Sequence, residues 1–508
     1  MSPLPEHPVG GPVPAPVTAP TGPPVRIGEG RRITLSGAPA DAAAWFADLA
    51  LRLHGVRVEE VAAGGDVHVV RGEVAEVPPA AGTDPRPAPA DERHRVDIAP
   101  GGVRVTAASD EAAFRALTAL AQLLHADRDV HAPGGTLADG PRYAWRGLSL
   151  DVVRHFFTAD EVRRVIDLLA LYRFSVLHLH LTDSEGWRVE SAAWPRLTAG
   201  GPHYTRAEFA ELVEYAARRC VTVVPEVDLP GHTGAAFDAY PELQGDLPVI
   251  HPRVRFLHPD VPVARDFAGD VIGEFAELCP GPFLHIGGDE PFGMEHDDYV
   301  RFARHTHACA RAAGKRVVAW QEAARAGVMD GRDVLQYWIG APDEFDPESI
   351  KEQVPEEFHA LVDRAAETFR ISPGDVPAGI AAGTPVLVSP NSVLYLDRPY
   401  AEPAAADQEG MRARLGLPAY PPITREAAFD WDPGSAAPGA TVAGVEAAVW
   451  GETLTGFDDL AFLLLPRLAG VAEKAWSAPT TWESHTRRLS GHEHHWSALG
   501  FTAHYRPA

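Results

Sequence analysis

Residues 145–183 run WRGLSLDVVRHFFTADEVRRVIDLLALYRFSVLHLHLTD. Two short apolar runs, Leu148–Leu150 and Val176–Leu181, flank a segment that opens on Thr158-x-x-Glu161. That spacing is a capping box, in which a Thr side chain and a Glu side chain satisfy each other's free backbone N–H groups at a helix start. Strand, helix, strand follows. Strands that are nearly continuous in apolar residues belong to a parallel sheet covered on both faces.

The same unit recurs along the chain. Further apolar runs lie at Val221–Pro225, Phe283–Ile286, Val317–Trp320, Val334–Trp338, Val386–Ser389 and Val445–Trp450. A second capping box, Thr205-x-x-Glu208, opens the next helix. Eight strands alternating with helices predict an α/β fold of the (β/α)₈ barrel type over residues 143–508. Ile350–Phe369 has helical spacing with Pro355 in its first turn, and is read as barrel helix six with a long lead-in, or else as a lid over the entrance.

Upstream, residues 26–142 predict a small α+β domain. Arg31–Leu35 and Val67–Val70 have strand character, and Arg95–Ile98 with Val103–Thr106 forms a hairpin around Pro100-Gly101-Gly102. Ala40–Leu53 and Glu111–Leu124 have helical periodicity. The low-complexity stretch 77–92 reads as a surface loop, and the Pro/Gly-rich residues 1–25 as a disordered tail.

The formal net charge of −25 argues against nucleic acid and anionic membranes as partners, but not against a neutral sugar. Three cysteines, Cys220, Cys279 and Cys309, make no disulfide framework and suit a reducing compartment. The first residues carry neither a basic nor an apolar signal region, and no apolar run is long enough to span a bilayer, so the expected location is cytoplasmic.

Active sites of such barrels lie at the C-terminal ends of the strands. Those ends carry Asp151 and Arg154; His178, His180, Asp183 and Trp187; Glu226, Asp228 and His232; His285 and Gly287-Gly288-Asp289-Glu290; Trp320; Trp338; Tyr395 and Asp397; and Trp450 with Glu452. Aromatic walls with carboxylates between them suit a carbohydrate, because rings stack on sugar C–H faces and carboxylates accept from hydroxyls. Asp289 and Glu290 are adjacent, so they are poorly placed to flank a sugar as acid and nucleophile. They fit a mechanism in which the substrate's 2-acetamido oxygen attacks.

The ordered motifs Leu150–Phe157 (LDVVRHFF), Leu177–Asp183 (LHLHLTD), Pro225–Thr233 (PEVDLPGHT), Leu284–Glu290 (LHIGGDE), Tyr395–Asp397 (YLD) and Trp450–Glu452 (WGE) resemble family 20 of the glycoside hydrolases, the β-N-acetylhexosaminidases. The resemblance runs from about Arg26 to near the C-terminus. It implies exo-acting removal of terminal β-linked N-acetylglucosamine or N-acetylgalactosamine, with retention, through an oxazolinium intermediate and without a cofactor or metal. It implies that Glu290 is the general acid/base and that Asp289 holds the acetamido N–H. Tyr395 would hold the acetamido oxygen, and Trp320, Trp338 and Trp450 would wall its methyl. Arg154 would take the 3- and 4-hydroxyls, Asp397 and Glu452 the outer hydroxyls, and the pair Asp183 and His232 would tune Glu290.

Two positions depart from the family pattern. Asp183-Ser-Glu-Gly-Trp187 stands where members commonly have Asp-Asp-Gln-Gly-Trp, and Ala419, with Tyr420 beside it, stands where an aromatic is common. Two other classes fit parts of the pattern. His178-x-His180 on one strand face also suits a metal-dependent hydrolase, and the aromatic wall alone would suit a catalytically silent sugar-binding protein.

Overall fold

The computed structural model describes residues 11–247, 255–340 and 346–508. A closed ring of eight parallel strands forms its centre: β1 Trp145–Asp151, β2 Val176–His180, β3 Thr222–Glu226, β4 Phe283–His285, β5 Arg316–Trp320, β6 Val334–Tyr337, β7 Val386–Val388 and β8 Val442–Val449. All eight expected strands are present, and β8 closes the ring onto β1 in parallel register, Gly147 facing Glu446.

The helices start where the sequence places them. Thr158 accepts from the backbone of Glu161, whose carboxylate returns to the Thr158 N–H at 2.8 Å, and Thr205 and Glu208 repeat the arrangement. The first of these helices, Ala159–Leu171, buries Val162, Val165, Ile166 and Leu169 against the barrel.

The segment after β6 differs from expectation. Pro355 does not open a single helix. It separates Pro347–Gln353 from a short turn at Glu356–Phe358 and the helix His359–Ile371. A proline clashes with a helical residue before it, and Val354 is extended at φ −118° and ψ 153°. The helix that packs on β6 is Asp375–Ala381, with Gly379 against the Leu335 side chain. Residues 347–371 are thus an addition, and Phe369 within them reaches the barrel mouth. Residues 341–345, part of the same lead-in, lie outside the described residues.

The N-terminal domain is a six-stranded mixed sheet, with Ala40–His54 and Asp110–Leu123 among its helices. Residues 77–92 form the expected loop, with residues 78–82 and 87–89 exposed, but it is strapped under the barrel: Ala81 N–H donates to the Arg142 carbonyl and Thr83 N–H to that of Ala443. The strap delivers Glu92, fully buried, to Arg146 and Arg115 at 2.7 and 2.9 Å. Low complexity hides this because the anchoring is backbone hydrogen bonding plus a few charged residues, Arg86 meeting Glu92 and Glu111 at 3.2 and 2.9 Å.

The expected tail over 1–25 is ordered from residue 11; residues 1–10 lie outside the described residues. Val13 is wholly buried and its N–H donates to Gln122, Thr18 pairs with Ala138, and Pro24–Gly28 adds a strand to Val130–Pro133. A proline-rich segment builds no core of its own, but in extended form it lies on one already made.

Candidate active site

The interior of the barrel is layered. Trp145, Val176, Val224, Phe283, Val318, Val334, Leu387 and Ala443, one from each strand, form an apolar floor. Above it the lining turns polar. Glu446 accepts from the Trp145 indole at 2.8 Å and lies 2.9 Å from His178 Nδ1. His178 Nε2 is 3.2 Å from Glu226, which also meets His180 Nδ1 at 2.6 Å, His285 Nδ1 at 2.9 Å and the Trp320 indole N–H at 2.9 Å. His180 Nε2 then reaches Asp183 at 2.8 Å. Side chains two apart on a strand share a face, so β2 aims both His178 and His180 inward.

Carboxylates and imidazoles thus alternate from floor to mouth, and the carboxylates beside His178 and His180 favour their charged forms, whereas burial lowers His285. Burial alone would push the Asp183 carboxyl up, but the charges of His232 and Arg154 hold it well below the usual range. Burial would lower His178; Glu226 and Glu446 instead raise it to about 9. His180 is raised well above the usual imidazole value against the same penalty, by Glu226 and Asp183.

Two tight loops form the mouth on this side. His232 follows β3 and Asp289-Glu290 follow β4. His232 Nδ1 is 3.1 Å from Asp183, and its Nε2 is 3.5 Å from both Asp289 Oδ2 and Glu290 Oε2. Close backbone approach in the second loop requires glycine at Gly287. Its φ is +67°, and a Cβ there would lie 1.7 Å from Asp228 Oδ1. His232 and Glu290 also hold positive φ, +51° and +46°. Asp289 Oδ1 is buried without a protein partner among the described residues.

Trp320, Trp338, Tyr395 and Trp450 gather around Ile339 and Ala448, with Phe369 and Tyr420 packed against them. Trp338 and Tyr395 stack at 6.3 Å and 9°, while Trp450 approaches Trp320 at 6.0 Å and Tyr395 at 5.9 Å. Burial pushes the Tyr395 hydroxyl well above its ordinary value, so it stays a donor. At the rim Arg154 is held by Asp183, Asp151 and Glu185 at 2.7, 3.2 and 3.2 Å. Asp397 accepts from the Trp450 N–H, and burial together with Glu452 pushes its carboxyl up to about 8. Glu452, itself raised by burial, lies within the fields of Arg154 and Asp151. The structure therefore gathers Arg154, Asp183, His232, Asp289 and Glu290 around one imidazole and its ion pairs, and Trp320, Trp338, Tyr395 and Trp450 around one another, whereas Trp187 packs on Phe267 and Phe275 at 5.8 and 5.9 Å.

The chain matches the glycosyl hydrolase family 20 catalytic domain over residues 143–362 and 367–479, and domain 2 of that family over residues 11–140. It belongs to glycosyl hydrolase family 20. A β-N-acetylhexosaminidase of Cellulomonas fimi is 37% identical over 97% of this chain and 96% of its own length. The family 20 β-N-acetylhexosaminidase of Streptomyces coelicolor A3(2) superposes with a TM-score of 0.80 at 34% identity, covering 97% of each chain. A mutant Streptomyces plicatus β-hexosaminidase in complex with product, GlcNAc, gives the same TM-score and identity over 97% of this chain and 96% of that one.

Within this family 20 site, two buried carboxylates escaped the sequence reading. Glu446 sits in an otherwise apolar strand, and a charged residue at an inward position of β8 is its only signal. Glu322 follows Trp320 in a short helical turn, where a carboxylate ordinarily reads as solvated. The histidines behind the metal alternative are engaged by carboxylates, His180 through both ring nitrogens. Donor atoms of His178, Glu226 and His285, and of His180, Glu226 and Asp228, nevertheless lie within 4.8 Å of one another, so chelation is a meaningful control.

Proposed function

We propose that the chain removes terminal non-reducing β-linked N-acetylhexosamine by retaining, substrate-assisted catalysis. Membership of family 20 makes it a glycoside hydrolase of the β-N-acetylhexosaminidase type. The observation that carries the mechanism is the placement of Asp289 and Glu290 on one imidazole nitrogen, with the Asp289 charge felt by Tyr395 and the Glu290 charge by Tyr420. Two carboxylates on one side of a sugar cannot serve as acid and opposing nucleophile, which requires roughly 5–5.5 Å across the ring. The attacking oxygen then comes from the substrate's acetamide.

In this reading Glu290 protonates the leaving oxygen, while Asp289 accepts the acetamido N–H and stabilises the oxazolinium cation. The unpartnered, buried Asp289 Oδ1 suits that acceptor role. Tyr395 donates to the acetamido oxygen, and Trp320, Trp338 and Trp450 enclose its methyl, holding the nucleophile in a near-attack geometry. Asp183 and His232 keep a cationic donor against Glu290, so the carboxylate left after proton transfer is stabilised. Arg154, Asp397 and Glu452 take the sugar's hydroxyls, which closes the pocket at the non-reducing end and makes the action exo.

No helix among the described residues is long and apolar enough to cross a membrane. The three unpaired cysteines support a cytoplasmic site of action. A panel of chromogenic β-glycosides with and without the 2-acetamido group tests the mechanism. Turnover is expected only with the acetamide, and comparable hydrolysis of the plain glucoside would overturn the reading. Activity is expected to survive exhaustive chelation; its loss, restored by a divalent cation, would favour the metal hydrolase.

A further inference from the structure

Glu322 is wholly buried behind the acetamide pocket, and no step above uses it. Its Oε2 accepts from the Trp338 indole N–H at 3.1 Å. Its Oε1 is buried and has no protein partner among the described residues, and the same holds for Asp289 Oδ1. The backbone brings the two acids towards one another. Trp320 N–H donates to the Gly287 carbonyl at 3.0 Å, and a Cβ on Gly288 would lie 3.8 Å from Ala323 Cβ. The turn carrying Glu322 thus backs the loop carrying Asp289. Its neighbour Gln321 accepts from the backbone N–H groups of Trp338 and Ile339 at 3.1 and 2.9 Å, fixing the end of β6.

We propose that Glu322 is a positioning residue for the acetamide pocket, fixing the Trp338 indole and backing Asp289 without touching substrate. It rests on the reading of Asp289 and Trp338 as the acetamide site.

The charge state of Glu322 follows from what faces it. Asp289 and Asp375 lie in its surroundings, Arg325 is a cation already bound by Asp375 at 2.6 and 2.7 Å, and Tyr299 donates to the Gly288 carbonyl. Burial first, and the Asp289 charge next, push the Glu322 carboxyl well above the usual range. A neutral acid suits the position. It anchors the indole through its acceptor oxygen and adds no second anion beside Asp289, which must remain the acceptor for the acetamido N–H and the partner of the developing cation. An aspartate–glutamate pair with both groups ionised would leave two buried oxygens unpaired, which is costly.

Neutrality makes the test sharp, because Gln is the isostere of a neutral Glu. With 4-nitrophenyl N-acetyl-β-glucosaminide, E322Q is expected to keep kcat within about 3-fold and to leave the pH–rate profile unchanged, since a neutral-for-neutral exchange removes no charge. E322L keeps the volume and loses the indole anchor. Its kcat is expected to fall by roughly 10²-fold, and the Ki of a thiazoline analogue of the intermediate to rise by a similar factor. Binding of a sugar-shaped inhibitor lacking the acetamido group is expected to stay within about 3-fold of wild type, as its contacts lie elsewhere in the pocket.

Three results would overturn the proposal: E322L behaving as wild type, E322L weakening both inhibitors equally, or E322Q collapsing with a shifted pH profile. If E322L does not fold, E322Q still decides through its rate and profile. Failure of the underlying reading shows separately, as wild-type turnover of glycosides without the acetamide.

Discussion

Glu290 and His232, which approach one another to 3.5 Å at the mouth, both sit in left-handed backbone conformations that glycine ordinarily fills. Such residues cost about 1–3 kcal/mol each and persist only where the surroundings fix them. Here the fixing comes from the fit of Gly287 on Asp228, so Gly287→Ala is expected to lower Tm and to cut kcat by roughly 10²-fold through misplacement alone. A wild-type rate in that variant would show that the loop is not held by this contact. For the acids themselves, Glu290→Gln is expected to abolish hydrolysis of substrates with poor leaving groups while sparing activated aryl glycosides. Asp289→Asn is expected to lose about 10²-fold or more on every substrate, as an electrostatic contact to the transition state is removed. Leaving-group dependence of kcat separates the two roles; an unchanged rate in Asp289→Asn would remove the acetamide assignment. Most of these residues were legible in the sequence because they stand at strand ends within ordered motifs. Glu322 and Glu446 were not, since a lone carboxylate in a turn or an apolar strand carries no sign of what it will face once buried.

At the level of elements, legibility followed the physics of periodicity. The eight strands declared themselves because a doubly covered strand must be apolar throughout. The helices after β1 and β2 did so through their capping boxes. Replacing Thr158 or Thr205 by Ala should cost about 0.5–2 kcal/mol of stability, the range for losing an N-cap. Both threonines lie on helix starts outside the mouth, so kcat should be untouched, and chemical denaturation beside steady-state assays checks both halves. The segment after β6 was harder to read, because its apolar spacing continued across Pro355 while the backbone did not. That break lets His359–Ile371 turn Phe369 against Trp338 at 5.9 Å, so a segment with no motif residue supports the acetamide wall. The order of residues 11–25 and the anchoring of the loop 77–92 are hidden for a related reason: both come from hydrogen bonds to surfaces that a linear sequence does not show.

For the molecule as a whole, the buried charges predict the direction of its pH dependence. The folded-state values of His178, His180 and His232 lie above that of a free imidazole, with His178 at about 9. Such groups contribute stability in full below about pH 6.5, and lose it as pH rises through the folded value. Asp397, raised to about 8, acts in the same direction over its window, because the unfolded carboxyl ionises first. Tm should therefore fall from about pH 6.5 to pH 9, and His178→Gln should flatten that slope; a flat or rising Tm over this range would contradict the charge assignment of the column.

The closure of β8 onto β1 also bears on how the chain is made. The seam joins Trp145–Asp151 to a strand translated some three hundred residues later. At about 5–20 residues per second the first strand waits roughly 15–60 s for its neighbour. Over that interval its open edge is unpaired or covered by a chaperone instead of β8. Gly11 waits longer still, since the Arg488 carbonyl that receives its N–H is translated later than any residue of the seam. The strand whose sequence reveals the architecture is thus the one that stays exposed through most of synthesis.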